Sequence, residues 1–323
     1  MSSSLPHYEF EPRPDCPGCG STQLSTLYSA PFSSQAIASF IEPYYGVDAR
    51  RLAAAPYQLE KCHACGLIFQ KYVGSTALLT DLYTDWVDNP TDPEAEIDTY
   101  RQEISAIPLS RDAHELMAAA AHLGKPLQAM SVLDYGMGWA LWARIARALG
   151  CDSAGTEISS SRRDYAARHG VRIVEEDDLE TMRFDFINTE QVFEHVIHPL
   201  ALLKRLAAAL APGGILKISV PDARHAEAVI ASLNAGSYSG DYETIVPIQP
   251  LEHVNSFTRA SVLKMAEAGG LVPSSPSYSS RYAFLRHPRT ISLSNPKKSA
   301  KEIVRPWVQF NNPSNVYVWL TRG

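Results

Sequence analysis

Val132-Leu133-Asp134-Tyr135-Gly136-Met137-Gly138-Trp139-Ala140 reads as an apolar strand that runs into a glycine turn and then opens a helix. Glycines at such a turn let the backbone approach a ligand at the carboxyl edge of a parallel sheet, where the strand order reverses. A tight strand-to-helix turn with no ligand needs the same two glycines, so the loop alone leaves both readings open. The next strand ends Ala154-Gly155-Thr156-Glu157 and favours a nucleoside. An acidic side chain about 20 residues after the loop is placed to accept hydrogen bonds from both ribose hydroxyls. The third strand is followed by Asp177-Asp178-Leu179, where a carboxylate can take the adenine amino group and a leucine can cover the ring. A solvated acidic loop from Glu175 to Glu180 fits those residues equally well.

Outward from the loop, short apolar runs alternate with helical stretches, the pattern of repeated βαβ units. Strands are expected at Ser131-Asp134, Ser153-Glu157, Val171-Val174, Asp185-Thr189 and Ile215-Val220, and helices at Trp139 to Leu149, Ser160 to His169 and Leu200 to Leu210. Pro212-Gly213-Gly214 should make the turn into the fifth strand. After Pro221 the alternation is interrupted by an insertion, about 224–251, that suits a substrate lid or wall; a helix from Arg259 to Ala268 and a last strand at Asn315 to Thr321 resume it. The fold class is α/β, a doubly wound Rossmann-like sheet.

Nicotinamide cofactors want a glycine three positions after Gly138, where this chain has Leu141. The spacing of Asp134, Gly136 and Gly138 is instead similar to the Asp-x-Gly-x-Gly loop of class I S-adenosylmethionine-dependent methyltransferases, with Ala140 where a third glycine often stands. The resemblance continues through Phe184-Asp185-Phe186-Ile187-Asn188, Val192-Phe193-Glu194-His195-Val196, His198-Pro199, Leu210-Ala211-Pro212-Gly213-Gly214 and Val220-Pro221. It ends with Glu252-His253-Val254-Asn255-Ser256-Phe257-Thr258 and Ala268-Gly269-Gly270. Together these segments resemble the methyltransferase subgroup that often carries an N-terminal pair of cysteine knuckles. That resemblance implies adenosyl binding by Gly136, Gly138, Glu157 and the Asp177-Asp178-Leu179 loop, with Gln191 near the methionine end.

Four of the five cysteines form two pairs at one spacing, Cys16-Pro17-Gly18-Cys19-Gly20 and Cys62-His63-Ala64-Cys65-Gly66. Two such knuckles supply the four thiolates of a closed, structural zinc site. The separation of the pairs is long for a zinc ribbon, so Gly20 to Lys61 must fold as an excursion that returns to the site. The alternatives are a redox dithiol, which needs only one pair, and reduced structural cysteines with no metal. The N-terminus has neither a basic nor an apolar segment of signal type, and no run of roughly 18 apolar residues occurs. A cytoplasmic location, where thiols stay reduced, is therefore expected. With 35 acidic and 29 basic residues and a net charge of -6, the chain has no field to hold nucleic acid.

The expected organisation is a zinc-ribbon module over 1–74, a helical linker or cap over 75–128 and a methyltransferase domain over 129–323. The acceptor is expected to be a small molecule, held by Arg224 to Leu251 together with Ser75 to Pro126. Sugar C-methyltransferases share the N-terminal zinc module but are longer, so O-, N- and C-methylation all stand open. His195 follows the fourth strand and His253 the fifth, and both have a side chain suited to take a proton from the acceptor. Each also suits a loop brace. Glu190, Glu194, His225 and Tyr242 are further positions near the same edge, while Trp139 and Trp142 read as packing residues. Two other functions remain: a non-catalytic zinc-ribbon scaffold and a nicotinamide-dependent oxidoreductase.

Overall fold

The computed structural model describes residues 7–87, 101–102, 110–238, 240, 242–286, 296–311 and 315–323. The run Asp88-Asn89-Pro90-Thr91-Asp92-Pro93, whose two prolines and polar residues read as a loop, lies outside them. The chain forms two compact units. One comprises Met1–Thr91, Phe193–Leu200 and Val220–Ala268, and holds the cysteine pairs; the other comprises Asp92–Val192, Ala201–Ser219 and Gly269–Gly323, and holds the glycine loop.

In chain order the described strands are β1 (Phe10–Pro12), β2 (Leu24–Pro31), β3 (Pro56–Cys62), β4 (Ile68–Gln70), β5 (Tyr72–Gly74), β6 (Ser131–Tyr135), β7 (Asp152–Thr156), β8 (Arg172–Ile173), β9 (Phe184–Glu190), β10 (Leu210–Val220), β11 (Asn255–Ser256), β12 (Leu271–Ser274) and β13 (Val316–Arg322). The sheet unit orders seven of them β12-β13-β10-β9-β6-β7-β8. The pairs β6–β7, β7–β8, β6–β9 and β9–β10 are parallel, and β12–β13 is antiparallel. The chain runs outward from β6 to β8, then returns to β9 on the other side of β6, so the order reverses beside the glycine loop and the sheet is doubly wound. β9 is buried along Phe184 to Thr189, as a strand covered on both faces requires.

Two details depart from the sequence expectation. The first helix is Leu141–Ala148 and not from Trp139, because Ala140 sits at φ 59 in the left-handed region and helical geometry starts after it. β10 begins at Leu210, and its register against β9 shifts between Leu210 and Ile215. Pro212-Gly213-Gly214 is therefore an irregularity within the strand, where a Cβ on Gly214 would meet the Phe184 carbonyl at 2.8 Å. In the core Trp142 stacks on Phe186 at 5.8 Å, and Trp319 meets Phe186 edge-on at 5.4 Å. Trp142 donates to Glu115 at 3.1 Å, so it is a packing residue.

The unit with the cysteines contains a four-stranded sheet, β11-β4-β3-β2. β2 and β3 pair antiparallel from Leu24 opposite Cys62 to Pro31 opposite Pro56, which closes the excursion between the two cysteine pairs. β11, whose Asn255 lies 186 positions after Phe69, pairs with β4, Asn255 opposite Phe69. The core joins Ile37, Ile41, Tyr57 and Leu59 with Ala226, Ile230, Ile245 and Leu251. The structure thus divides the chain differently from the boundaries at 74 and 128: residues 193–200 and 220–268 fold with the N-terminal segment. The insertion at 224–251 supplies apolar side chains to that core, which a freely moving lid does not do. Of the expected linker, helix Thr76–Asp81 belongs to the first unit and helix Arg111–Leu123 to the second.

Candidate functional site

The glycine loop presents three successive amides to the end of β7. Gly136 N–H donates to Thr156 Oγ1 at 3.2 Å, Met137 N–H to the Thr156 carbonyl at 3.0 Å, and Gly138 N–H to Glu157 Oε2 at 2.9 Å. Glu157 Oε1 also accepts from the amides of Ile158 and Ser159, at 2.8 and 3.0 Å. Glu157 stands one residue past β7, where its carboxylate meets the loop. Gly136 has φ +70, and a Cβ there would fall 2.8 Å from Val192 Cγ2, so both conformation and space exclude a side chain.

Asp134 is 3% exposed and works behind the loop. Its Oδ1 accepts from Asn188 Nδ2 at 2.7 Å and its Oδ2 from Ala143 N–H at 3.2 Å, which ties β6, β9 and the first helix together. Burial pushes this carboxyl up to about 7, against the Asn188 hydrogen bond and the charge of Lys217. Gln191, just past β9, has φ 54 and donates its N–H to the Ser219 carbonyl at 2.8 Å. Left-handed non-glycine residues cost about 1–3 kcal/mol and gather where function requires a shape. Among the described residues they are Ala140, Gln191 and Leu251.

The acidic turn Glu176–Glu180 divides its side chains sharply. Asp177 and Asp178 are exposed, and Asp177 lies 3.4 Å from Arg205. Leu179 is fully buried, since it is the one apolar residue of the turn and packs inward. The leucine expected to cover a ring is thus part of the interior in this structure.

Cys16, Cys19, Cys62 and Cys65 converge, with all four sulfurs within 4.8 Å of one another. The Cys16–Cys65 and Cys19–Cys62 separations are 3.5 and 3.6 Å. A tetrahedron with zinc–sulfur bonds of about 2.3 Å has edges of roughly 3.8 Å, so the sulfurs already have the spacing such an ion requires. Both knuckles close identically: Gly20 N–H donates to the Cys16 carbonyl at 2.8 Å and Gly66 N–H to the Cys62 carbonyl at 2.9 Å. Burial opposes ionisation of Cys62, but the amides of Cys65 and Ala64 together with hydrogen bonds from Cys19 and Cys16 bring the thiol down to about 7.

His195 and His253 lie in the same unit, their ring centroids 4.9 Å apart and their planes at 70°. With Glu194 they place ligand-type atoms within 4.8 Å of one another. His195 Nδ1 donates to the Glu252 carbonyl at 3.1 Å, and His253 Nδ1 donates to the Val246 carbonyl. A carbonyl only accepts, so each proton sits on Nδ1 and each lone pair on Nε2. Burial, together with the neighbouring His253, lowers His195 to about 3; burial lowers His253 to about 4. Both rings are neutral near pH 7.

Three residues without a role in the sequence reading complete this site. Tyr83, in the π-turn Leu82–Trp86, brings its hydroxyl 3.5 Å from His195 Nδ1. Glu252 is buried and its carboxyl raised by that burial; it accepts from Tyr45 OH at 2.9 Å and from Gln249. Arg13 donates to the carbonyls of Gln70 and Val254, each at 2.6 Å, and to Asn255 Oδ1 at 2.9 Å. Asn255 in turn donates to the Phe193 and Val196 carbonyls at 2.9 and 2.6 Å. Strand pairing of β11, Arg13 and Asn255 therefore fix both histidine loops to the sheet that carries the cysteines. Glu252 adjoins His253 in sequence and offered a signal; Tyr83 and Arg13 offered none. Glu190 belongs to the sheet unit, 2.6 Å from Lys217. His225 is exposed, and Tyr242 is exposed and stacks on Tyr44 at 5.5 Å.

A doubly wound sheet with a glycine loop at the reversal and an acid after the adjacent strand defines an α/β protein of the class that binds ligands at the carboxyl edge. The chain belongs to the methyltransferase-domain family, whose model matches residues 109–274, about half of its length. The ubiquinone biosynthesis O-methyltransferase of Coxiella burnetii is 26% identical over 158 residues, a match spanning 45% of this chain and 64% of that enzyme. Among solved structures, a complex of the plantazolicin methyltransferase BpumL with a pentazolic desmethylPZN analog and SAH is 14% identical over 76% of this chain and 95% of its own, with a TM-score of 0.46. The Burkholderia thailandensis 1,6-didemethyltoxoflavin-N1-methyltransferase, with its substrate and S-adenosylhomocysteine bound, is 21% identical over 62% and 80%, with a TM-score of 0.40. No helix among the described residues is long and apolar enough to cross a membrane.

Proposed function

We propose that the protein transfers the methyl group of S-adenosylmethionine to a small-molecule acceptor. The observation that carries this reading is the loop of a methyltransferase-family chain whose Gly138 amide meets the Glu157 carboxylate at 2.9 Å. In this reading Glu157 accepts from the ribose hydroxyls, the amides of Gly136 and Gly138 line the adenosyl pocket, Asp177 and Asp178 edge the adenine side and Gln191 lies toward the methionine end. Asp134 acts through the loop by holding its shape. The sulfonium supplies an electrophilic methyl group, which moves to the acceptor in line with the carbon–sulfur bond.

The protein's own task is to orient the acceptor and to receive a proton where the acceptor is a hydroxyl. His195 and His253 suit the orienting part, each Nε2 accepting a hydrogen bond from an acceptor hydroxyl, while values this low make them weak proton acceptors. Their Nε2 lone pairs are available because Nδ1 is committed to a carbonyl, and burial keeps both rings neutral. Four cysteines hold a structural zinc in this account; with four protein thiolates the ion has no open position for water. Its role is to fix the sheet that braces both histidine loops.

Isothermal titration with S-adenosylmethionine, S-adenosylhomocysteine and a nicotinamide dinucleotide tests the cofactor. Micromolar binding of the adenosyl ligands, weakened at least tenfold in Glu157→Ala, is expected. Binding of the dinucleotide alone would overturn the reading, as would no binding by folded, metal-loaded protein.

A further inference from the structure

Besides the four cysteines, the described residues bring together one other set of metal-ligand side chains, Glu194, His195 and His253, in the same unit and with ligand-type atoms within 4.8 Å of one another. Glu194 and His253 are buried, and His195 is half-buried. Two imidazoles and one carboxylate form the donor set that binds borderline divalent transition ions and leaves coordination positions open. The cysteine site is of the other kind, since four thiolates close the shell.

The three residues are braced as a ligand set has to be. Each histidine spends Nδ1 on a backbone carbonyl, that of Glu252 for His195 and that of Val246 for His253, which fixes the tautomer and leaves Nε2 as the donor atom. Asn255 ties the two ligand loops together: its N–H donates to the Glu194 carbonyl at 3.0 Å, and its side-chain amide to the Phe193 and Val196 carbonyls at 2.9 and 2.6 Å. Gln70 on β4 donates to the carbonyls of Gln249 and His253 at 3.0 and 3.1 Å, so the second loop is anchored as well. Three ligand atoms on one ion, at bonds of about 2.1 Å, lie roughly 3 to 3.5 Å apart. Side-chain rotation closes the remaining gap with both loops left in place.

We propose that Glu194, His195 and His253 bind one divalent transition ion of the zinc type, with positions left open for oxygen ligands. Magnesium and calcium, which prefer an all-oxygen shell, are disfavoured. With the ion bound, an acceptor hydroxyl meets the histidines through it instead of directly. That last step rests on the methyl-transfer reading; the binding of the ion does not.

Titration of cobalt(II) into the full chain, already carrying one zinc and freed of excess metal, tests the proposal. One equivalent should bind with Kd below about 10 μM, and its visible spectrum should lack thiolate-to-cobalt charge-transfer bands. Magnesium should not bind. Glu194→Gln and His195→Gln should each weaken cobalt at least tenfold and keep the first zinc. No uptake beyond the zinc, uptake that develops thiolate bands, or equal affinity in both variants would each overturn it. Should a variant lose its first zinc, the imidazole nitrogen resonances of the wild-type chain decide: a second equivalent of zinc that shifts Nε2 of both His195 and His253 upholds the site, and unmoved resonances overturn it. Cobalt uptake by a protein that ignores S-adenosylhomocysteine would uphold the site and remove the methyl-transfer reading alone; S-adenosylhomocysteine binding without cobalt uptake would do the reverse.

Discussion

The glycine loop and the histidine pair are built by opposite means. The loop is contiguous: Asp134 to Ala140 with the end of the adjacent strand, its polar groups mostly backbone amides held in order by two glycines and one buried carboxylate. The histidine pair is assembled from four distant segments, with Arg13, Tyr83, Glu194, His195, Glu252 and His253 gathered by side-chain hydrogen bonds and by the pairing of β11 with β4. A contiguous site survives so long as its own turn is intact. An assembled one depends on whatever holds its parts together, and here that is the sheet carrying the cysteine pairs.

The sharpest way to break the comparison is to remove a metal ligand. Cys62→Ser should abolish the zinc binding proposed for the four cysteines and melt the unit that contains them, since structural zinc contributes on the order of 10 kcal/mol to small modules. Metal content by mass spectrometry and a two-step thermal melt will report this; a fully metal-loaded variant with a wild-type melt would contradict it. Next in size is Gly136→Ala. A methyl group 2.8 Å from Val192 Cγ2, at φ +70, should cost roughly 1–3 kcal/mol in the loop and at least tenfold in adenosyl affinity. Metal content should stay the same.

Acid comes third. Both histidines are depressed in the folded state, so the unfolded chain binds protons more readily below its ordinary histidine value near 6.5. Their contribution to stability is complete above pH 6.5 and is lost as the pH falls toward 4 and then 3. His253→Asn should flatten that part of the stability curve measured by urea unfolding; an unaltered curve would remove His253 as its source. The smallest effect belongs to Ala140→Gly. Relief of the left-handed alanine at φ 59 is offset by the entropy of glycine, leaving a change of about 1 kcal/mol or less. A loss well above that would mean the alanine methyl packs for a purpose.

The same contrast explains what could be read from the sequence. Asp134, Gly136, Gly138 and Glu157 were legible because their spacing follows from one turn and the next strand, and the cysteine pairs because each carries its own closing glycine. Both histidines were legible as residues that follow strands. Tyr83 was not, because nothing in Leu82–Trp86 distinguishes a site tyrosine from a packed one until His195 arrives 112 positions later. Leu179 shows the two pulls on one residue: an apolar side chain among acids suits a ring cover, and in this structure it packs into the interior of a short turn. The insertion at 224–251 read as a lid or wall because its irregular sequence hides Ile230, Ile245 and Leu251, which complete a core started by residues about two hundred positions earlier.

The most direct test of the account is to strip the metal from the intact protein with a chelator and record two readouts on one sample. Imidazole nitrogen resonances report the Nδ1–H tautomers of His195 and His253, and calorimetry reports S-adenosylhomocysteine affinity. The account predicts that both tautomers lose their defined signals while the affinity stays within about twofold, a difference under roughly 0.5 kcal/mol. Intact histidine signals in metal-free protein, or an affinity that falls together with them, would contradict it.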